Sequence, residues 1–391
     1  MKSTSNRDVL PSTPIAPISS WRALIVGILL AVALFHLFPL LKLKNPDIAE
    51  NRVLASAPEL PKNPNDWSAL PAKLDSYVMD NFPLRDFLIS GLNFFRYKLG
   101  YSGTSRIIVG QHGWLFYDDG THLSIISGSL MLDDTSIDYW VKGFQQRAEY
   151  LKRKGMKFYF MVAPVKEDIY PEHRPEWMPA NRTTTEIDKI ISVAKSAGYD
   201  QIVDPRAALL TEKYNQKLYD EYDTHWTGLG AYIGYRQLMT RMAQDFPDMA
   251  PLPISAFKPL SPSSSEQPRD LSLMLGIADF VPHNRVTFAG ALTHDPNKTT
   301  FLSDNHSWVA PQILHTDAKT GKTLLLLRDS FTTELLPFLK AHFDTIIMAH
   351  LQDGFFRKDL IEKYKPDAVA IVIIETGTRH TMSLIPELDK N

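Results

Sequence analysis

The sequence predicts an α/β fold of three layers, a mostly parallel central sheet covered by helices on both faces, preceded by an N-terminal transmembrane helix. Three observations carry this reading. From residue 137 onward, short apolar runs alternate with helix-length stretches joined by short connections, the rhythm of strand–helix–strand crossovers. The run Thr323-Leu324-Leu325-Leu326-Leu327 has no polar alternation, as a strand buried on both faces requires, and it leads straight into a helix-like stretch over 331–343. Residues 24–41 form an apolar segment interrupted only by His36 and Pro39, long enough to meet the minimum for a bilayer span.

Length and composition bound the rest. The chain has 391 residues, enough for one large core or two domains with appendages. A net charge of −2 gives no bulk attraction to nucleic acid, and the absence of cysteine excludes disulfides and thiol catalysis.

Taken in order, residues 1–20 are rich in Ser, Pro and Thr and read as disordered. Residues 21–44 read as an uncleaved signal anchor, with a buried globular helix as the alternative. The small-residue triplet Ala55-Ser56-Ala57 lies too far beyond the apolar run for cleavage. Lys2, Arg7 and Arg22 before the span balance Lys42, Lys44 and Arg52 after it, so flanking charge leaves the orientation open. Residues 45–105 read as a linker and helical lead-in, with helical spacing over 74–99 broken at Pro83 into two helices. Residues 106–391 form the α/β domain. It opens with a hairpin whose strands are 107–109 and 114–117. A helix over 137–152, a strand over 157–163, a helix over 184–197 and a short strand over 201–204 follow. Further helices are expected over 206–214 and 228–242, and a brief one over 271–275. Residues 281–319 are poorly patterned. The rhythm returns with strands over 323–327, 344–350 and 368–374, separated by helices over 331–343 and 357–365.

Two stretches carry candidate chemistry. Arg328-Asp329-Ser330-Phe331 sits where the leucine strand meets its helix, at the edge of a crevice and near the free N–H groups of a helix start. Asp223-Thr224-His225-Trp226 supplies a histidine with a carboxylate two positions away, on one face of a strand or across a tight turn. A serine hydroxyl is a weak nucleophile that needs a base, and histidine with an orienting carboxylate is such a base. Ser330, His225 and Asp223 therefore form a candidate catalytic set. Each also has a structural role open to it: Ser330 or Asp329 as a helix cap, Asp223 as a turn cap, His225 as a core residue. No Gly-x-Ser-x-Gly elbow surrounds Ser330, which disfavours the α/β-hydrolase fold. Trp114, Tyr117 and Trp226 offer faces for sugar stacking or for core packing. Lys166, Arg328 and Arg379 are candidate partners for acidic sugars or structural charges, and Arg379 could pair locally with Glu375. Asp118-Asp119 lacks the spaced histidines of a zinc site, and neither a metal nor a cofactor is expected.

These motifs, in this order, resemble the AlgJ/AlgX-like group of SGNH-hydrolase-like proteins, the alginate and related polysaccharide O-acetyltransferases of the bacterial periplasm. The resemblance runs from about residue 50 to the C-terminus. It rests on Glu50-Asn51-Arg52, Asp80-Asn81-Phe82-Pro83-Leu84-Arg85, the Gly110 to Phe116 segment, Asp223 to Trp226 with Gly228 and Gly230, Asp270-Leu271 before Met274-Leu275-Gly276, and Asp329-Ser330-Phe331. The family commonly has glycine where this chain has Arg328, a bulky cation beside the nucleophile that could meet an anionic sugar or a developing oxyanion. The resemblance implies an SGNH-like fold, with Ser330 as nucleophile, His225 as base and Asp223 as its orienter. It implies acetyl transfer to a polysaccharide acceptor through an acetyl-serine, with an acetylesterase or a non-catalytic polysaccharide-binding subunit as alternatives. It also implies an acetyl donor supplied by a membrane acyl-transfer protein, other subunits of a polysaccharide-biosynthesis complex, and an inner-membrane anchor with the domain in the periplasm.

Overall fold

Leu324, Leu325, Leu326 and Leu327 are all fully buried, which an unalternating apolar strand achieves only with cover on both sides. In the computed structural model, which describes residues 18–37, 45–46, 48, 53–178, 183–260, 269–282, 285–291 and 298–388, they lie in the middle of a seven-stranded sheet. Its strands are β1 (Lys157–Ala163), β2 (Ile202–Val203), β3 (Lys298–Phe301), β4 (Gln312–His315), β5 (Thr323–Arg328), β6 (Thr345–His350) and β7 (Ala368–Ile374). The spatial order is β2-β1-β7-β5-β6-β4-β3. Strands β2, β1, β7, β5 and β6 are mutually parallel, with Leu325 opposite Ile347 on one side and Val369 on the other.

The two faces of the sheet are two cores. Met161, Leu324, Leu326 and Met348 pack with the helices Gly228–Met242 and Thr332–Leu339. Phe160, Leu325, Leu327 and Ile371 pack with the helices Asp134–Arg153, Glu186–Ser196 and Lys358–Tyr364. Alternate residues of one strand thus serve opposite layers, which is the three-layer arrangement.

The expected sheet is corrected at one edge. β4 runs antiparallel to β6, and β3 antiparallel to β4, so the sheet is mixed. Both strands come from the poorly patterned stretch 281–319. The short connection from β3 to β4 suits an antiparallel pair, since a parallel one needs a longer crossover. The helix expected over 331–343 is Thr332–Leu339, with Pro337 inside it.

Contacts divide the chain into two compact units, residues 1–91 and 92–391. In the first, Ile18–Leu37 is a 20-residue helix. Among the described residues, no helix is long and apolar enough to cross a membrane. Residues 38–44 of the expected span, and most of the expected disordered segment 1–20, lie outside the described residues. The helix Pro64–Asn81 is capped by the Asn63 side chain and has Pro64 in its first turn, where no N–H is missed. In the second unit, the hairpin forms with Ile108 opposite Phe116.

Candidate active site

The strands of a parallel sheet point their carboxyl ends at a crevice, and the crevice opens where successive crossovers diverge. Here β5 leads outward to β6, while β7 returns to the other side of β5. Ser330 stands just past the end of β5. Asp329 fixes that turn: its carboxylate accepts N–H bonds from Phe331 (2.9 Å) and, across the sheet end, from Ile374 (2.7 Å). Burial pushes the Asp329 carboxyl up to about 6, against the pull of those two donors. The Ser330 N–H makes no hydrogen bond to any described residue.

Asp223 and His225 arrive on the turn before the Gly228–Met242 helix. One Asp223 oxygen accepts both the His225 N–H (2.9 Å) and the His225 Nδ1–H (2.7 Å), so a single Asx-type turn sets the backbone and the ring together. This explains the spacing of two. His225 Nε2 lies 2.7 Å from Ser330 Oγ, which completes a continuous serine–histidine–aspartate relay 105 positions apart in sequence. Trp226 ties the two halves, donating Nε1–H to the Phe331 carbonyl at 2.9 Å. The two glycines after it let the helix approach: a Cβ on Gly230 would lie 2.3 Å from the Leu218 carbonyl oxygen and 2.9 Å from Trp226 Cβ.

A buried charge network holds the acid in place. Arg285 donates Nη1–H to the second Asp223 oxygen (3.0 Å), and Nη2–H to Glu334 (3.0 Å) and to the Trp226 carbonyl (3.1 Å). Asp270 caps the same turn, accepting the Thr224 N–H at 2.8 Å, and places its other oxygen 3.7 Å from His225 Nδ1. Burial alone would raise the Asp223 carboxyl, but the His225 hydrogen bond and Arg285 hold it well below the usual range. Burial would likewise lower His225; the Asp223 hydrogen bond and charge outweigh it and raise the imidazole above its ordinary value. Burial and the neighbouring Asp223 charge push Asp270 up.

Asp223, His225 and Asp270 also have donor atoms within 4.8 Å of one another, the spacing of a metal site. Both Asp223 oxygens and both imidazole nitrogens already have partners in the relay. A cation there would have to displace the contacts that aim His225 at Ser330.

The relay opens on a cleft of about 930 Å³, also lined by Phe301, His306, Trp308 and Arg328. Of the four residues expected to bind substrate, only Arg328 lines it. Trp226 is fully buried and is a scaffold residue. Lys166 is 2% exposed, its Nζ donating to the carbonyls of Asp223 (2.7 Å), Asp220 (3.1 Å) and Glu221 (3.3 Å); it pins the turn that carries Asp223. Arg379 pairs with Glu186, not with the expected Glu375, and lines no part of the cleft. Trp114 is buried in a stack with His173 at 4.3 Å, Tyr117 is half-buried beside the hairpin core, and neither lines the cleft. Trp308 is an exposed indole of the cleft, which the sequence reading missed along with Arg285 and Glu334. All three lie outside recognisable motifs, and the lone legible signal among the supporting residues was Asp270 in its Asp-Leu pair.

Comparison with known proteins identifies the family. Residues 107–310 match the family described as SGNH hydrolase-like domain, acetyltransferase AlgX. That match contains Asp223 and His225 and ends before Ser330. The probable alginate O-acetylase AlgJ of Pseudomonas aeruginosa is 32% identical over 135 residues, 34% of this chain and 32% of that protein. The Pseudomonas syringae pv. tomato AlgJ is 25% identical over 176 residues, 44% of this chain and 42% of that protein. The chain thus matches less than half the length of either curated relative. Among solved structures, Bacillus cereus PatB1 with a sulfonyl adduct superposes with a TM-score of 0.53 at 12% identity, over 72% of this chain and 98% of that one; it shares the fold.

Proposed function

The chain belongs to the acetyltransferase AlgX family of SGNH hydrolase-like domains, and from that premise we propose that it is a polysaccharide O-acetyltransferase of alginate or a related exopolysaccharide. The observation that carries this is the unbroken relay from Asp223 through His225 to Ser330, at 2.7 Å for each step, on the wall of an open cleft. The relatives named as probable alginate O-acetylases support the acceptor class.

The reaction runs in two halves. In the first, His225 Nε2 takes the Ser330 Oγ proton as Oγ attacks the donor carbonyl. The oxygen of the tetrahedral intermediate draws on the unengaged Ser330 N–H. His225 returns the proton to the leaving group, and acetyl-Ser330 remains. In the second, a sugar hydroxyl gives its proton to His225 and attacks the acetyl carbonyl. Ser330 Oγ leaves and regains the proton, and the sugar carries the ester. Asp223 stabilises the imidazolium in both halves, and Arg285 keeps Asp223 ionised.

In this reading the apolar segment 24–41 anchors the chain in the bacterial inner membrane and the α/β unit works in the periplasm. The acetyl group comes from a membrane acyl-transfer protein, and the chain works beside other subunits of a polysaccharide-biosynthesis complex. The test is incubation with an acetyl ester donor and oligouronate, followed by mass spectrometry of protein and sugar. Acetylated sugar and a transient acetyl-protein are expected, both absent in Ser330→Ala. Free acetate as the sole product, or equal turnover by Ser330→Ala, would sink the proposal.

A further inference from the structure

The cleft lining holds a cation, two residues before the nucleophile, that acetyl transfer at Ser330 does not use. Arg328 ends β5 on the same face as Leu324 and Leu326, and its side chain is 6% exposed, yet it lines the cleft. Its sole hydrogen bond to a described residue is from Nη2 to the Trp308 carbonyl, and its Nε is buried without an acceptor. No carboxylate among the described residues forms an ion pair with it; the adjacent Asp329 spends its oxygens on the Phe331 and Ile374 N–H groups. Arg285, on the same cleft, shows the contrast, since its guanidinium sits between two carboxylates. A buried guanidinium with no counter-charge is costly, and its planar fork suits a carboxylate. Beside it, Trp308 is 51% exposed, with the Arg328 guanidinium 5.1 Å from its ring centre. Aromatic rings exposed in a cleft are the faces on which sugar rings lie, through their apolar C–H surfaces.

We propose that Arg328 and Trp308 form an acceptor subsite for a hexuronate residue, whose carboxylate pairs with the Arg328 fork while its ring lies against Trp308. This rests on the reading of the cleft as the site of transfer to a sugar hydroxyl. It adds a carboxylate requirement and assigns it to a position where the family commonly has glycine. The acetyl group carries no charge, so nothing in the donor half of the reaction calls for this cation.

The experiment compares oligomannuronate with the same oligosaccharide after reduction of its carboxyl groups to alcohols. Two readouts are taken: transfer by the native protein, and calorimetric binding to the Ser330→Ala protein, which cannot turn over. Both should favour the charged sugar by about ten- to hundredfold, the range of a charge-assisted hydrogen-bonded pair. Adding Arg328→Gln should abolish the preference, Arg328→Lys should restore part of it, and Trp308→Ala should weaken both sugars alike. Equal affinity of the native cleft for the two sugars, a preference that survives Arg328→Gln, or binding of neither sugar would overturn the subsite. If binding shows the preference but only free acetate is released, the transferase reading falls and the subsite stands. The comparison of sugars needs no Arg328 variant to fold.

Discussion

Replacing Arg285 by methionine isolates what the buried charge network does. The substitution keeps an apolar stem of similar reach and removes three hydrogen bonds, those to Asp223, Glu334 and the Trp226 carbonyl at 3.0–3.1 Å. It leaves two carboxylates stranded, with Asp223 1% and Glu334 5% exposed. Breaking a buried ion pair by deleting one partner costs about 3–5 kcal/mol. With a urea m-value of about 3 kcal/mol/M for a unit of this size, the unfolding midpoint should fall by about 1–1.7 M. Burial already raises the Glu334 carboxyl against the pull of Arg285, so it will take a proton when the guanidinium is gone. Adding Glu334→Gln should therefore recover about 1–2 kcal/mol, a coupling visible in a double-mutant cycle. Turnover should fall by about a hundredfold, because Asp223 loses one of the contacts that fix its position. An Arg285→Met protein with an unchanged midpoint, or a double variant less stable than the single one, would refute the network as the support of the acid.

Other outcomes follow from the same geometry. Ser330→Ala should retain the fold and lower acetyl-ester turnover by about 10⁴-fold or more, measured with a chromogenic acetate. The base must be neutral to accept the Ser330 proton, and His225 is held above the 6.5 of a free imidazole. The acid limb of kcat/KM should therefore lie above pH 6.5. Asp223→Asn should move that limb downward and slow the reaction by about 10⁴-fold, read from pH–rate profiles of the two proteins. Gly230→Ala should destabilise by about 1–3 kcal/mol in urea unfolding, since its Cβ would meet the Leu218 carbonyl and the stem of Trp226.

Much of this molecule was legible in the linear chain because the signals are local. The bounds of β1, β7 and the Gly228–Met242 helix follow the hydrophobic pattern residue for residue. Leu324 to Leu327 announce a doubly covered strand because nothing polar interrupts them. Asp223 and His225 declare themselves because one turn makes their contact. Ser330 was visible as the residue at a strand–helix junction.

Tertiary structure alone decided which charges face the cleft. Lys166, Arg379 and Arg328 are equivalent in sequence, each a cation near a strand or helix end. Folding gives Lys166 three carbonyls and Arg379 a glutamate, and leaves Arg328 without a carboxylate among the described residues. Partnership of that kind depends on residues far away in the chain, as with Arg285 reaching back 62 positions to Asp223. Periodicity and turn chemistry act over a few residues, so they specify the elements. Charge compensation acts through space between elements, so it exists only once the sheet has brought them together.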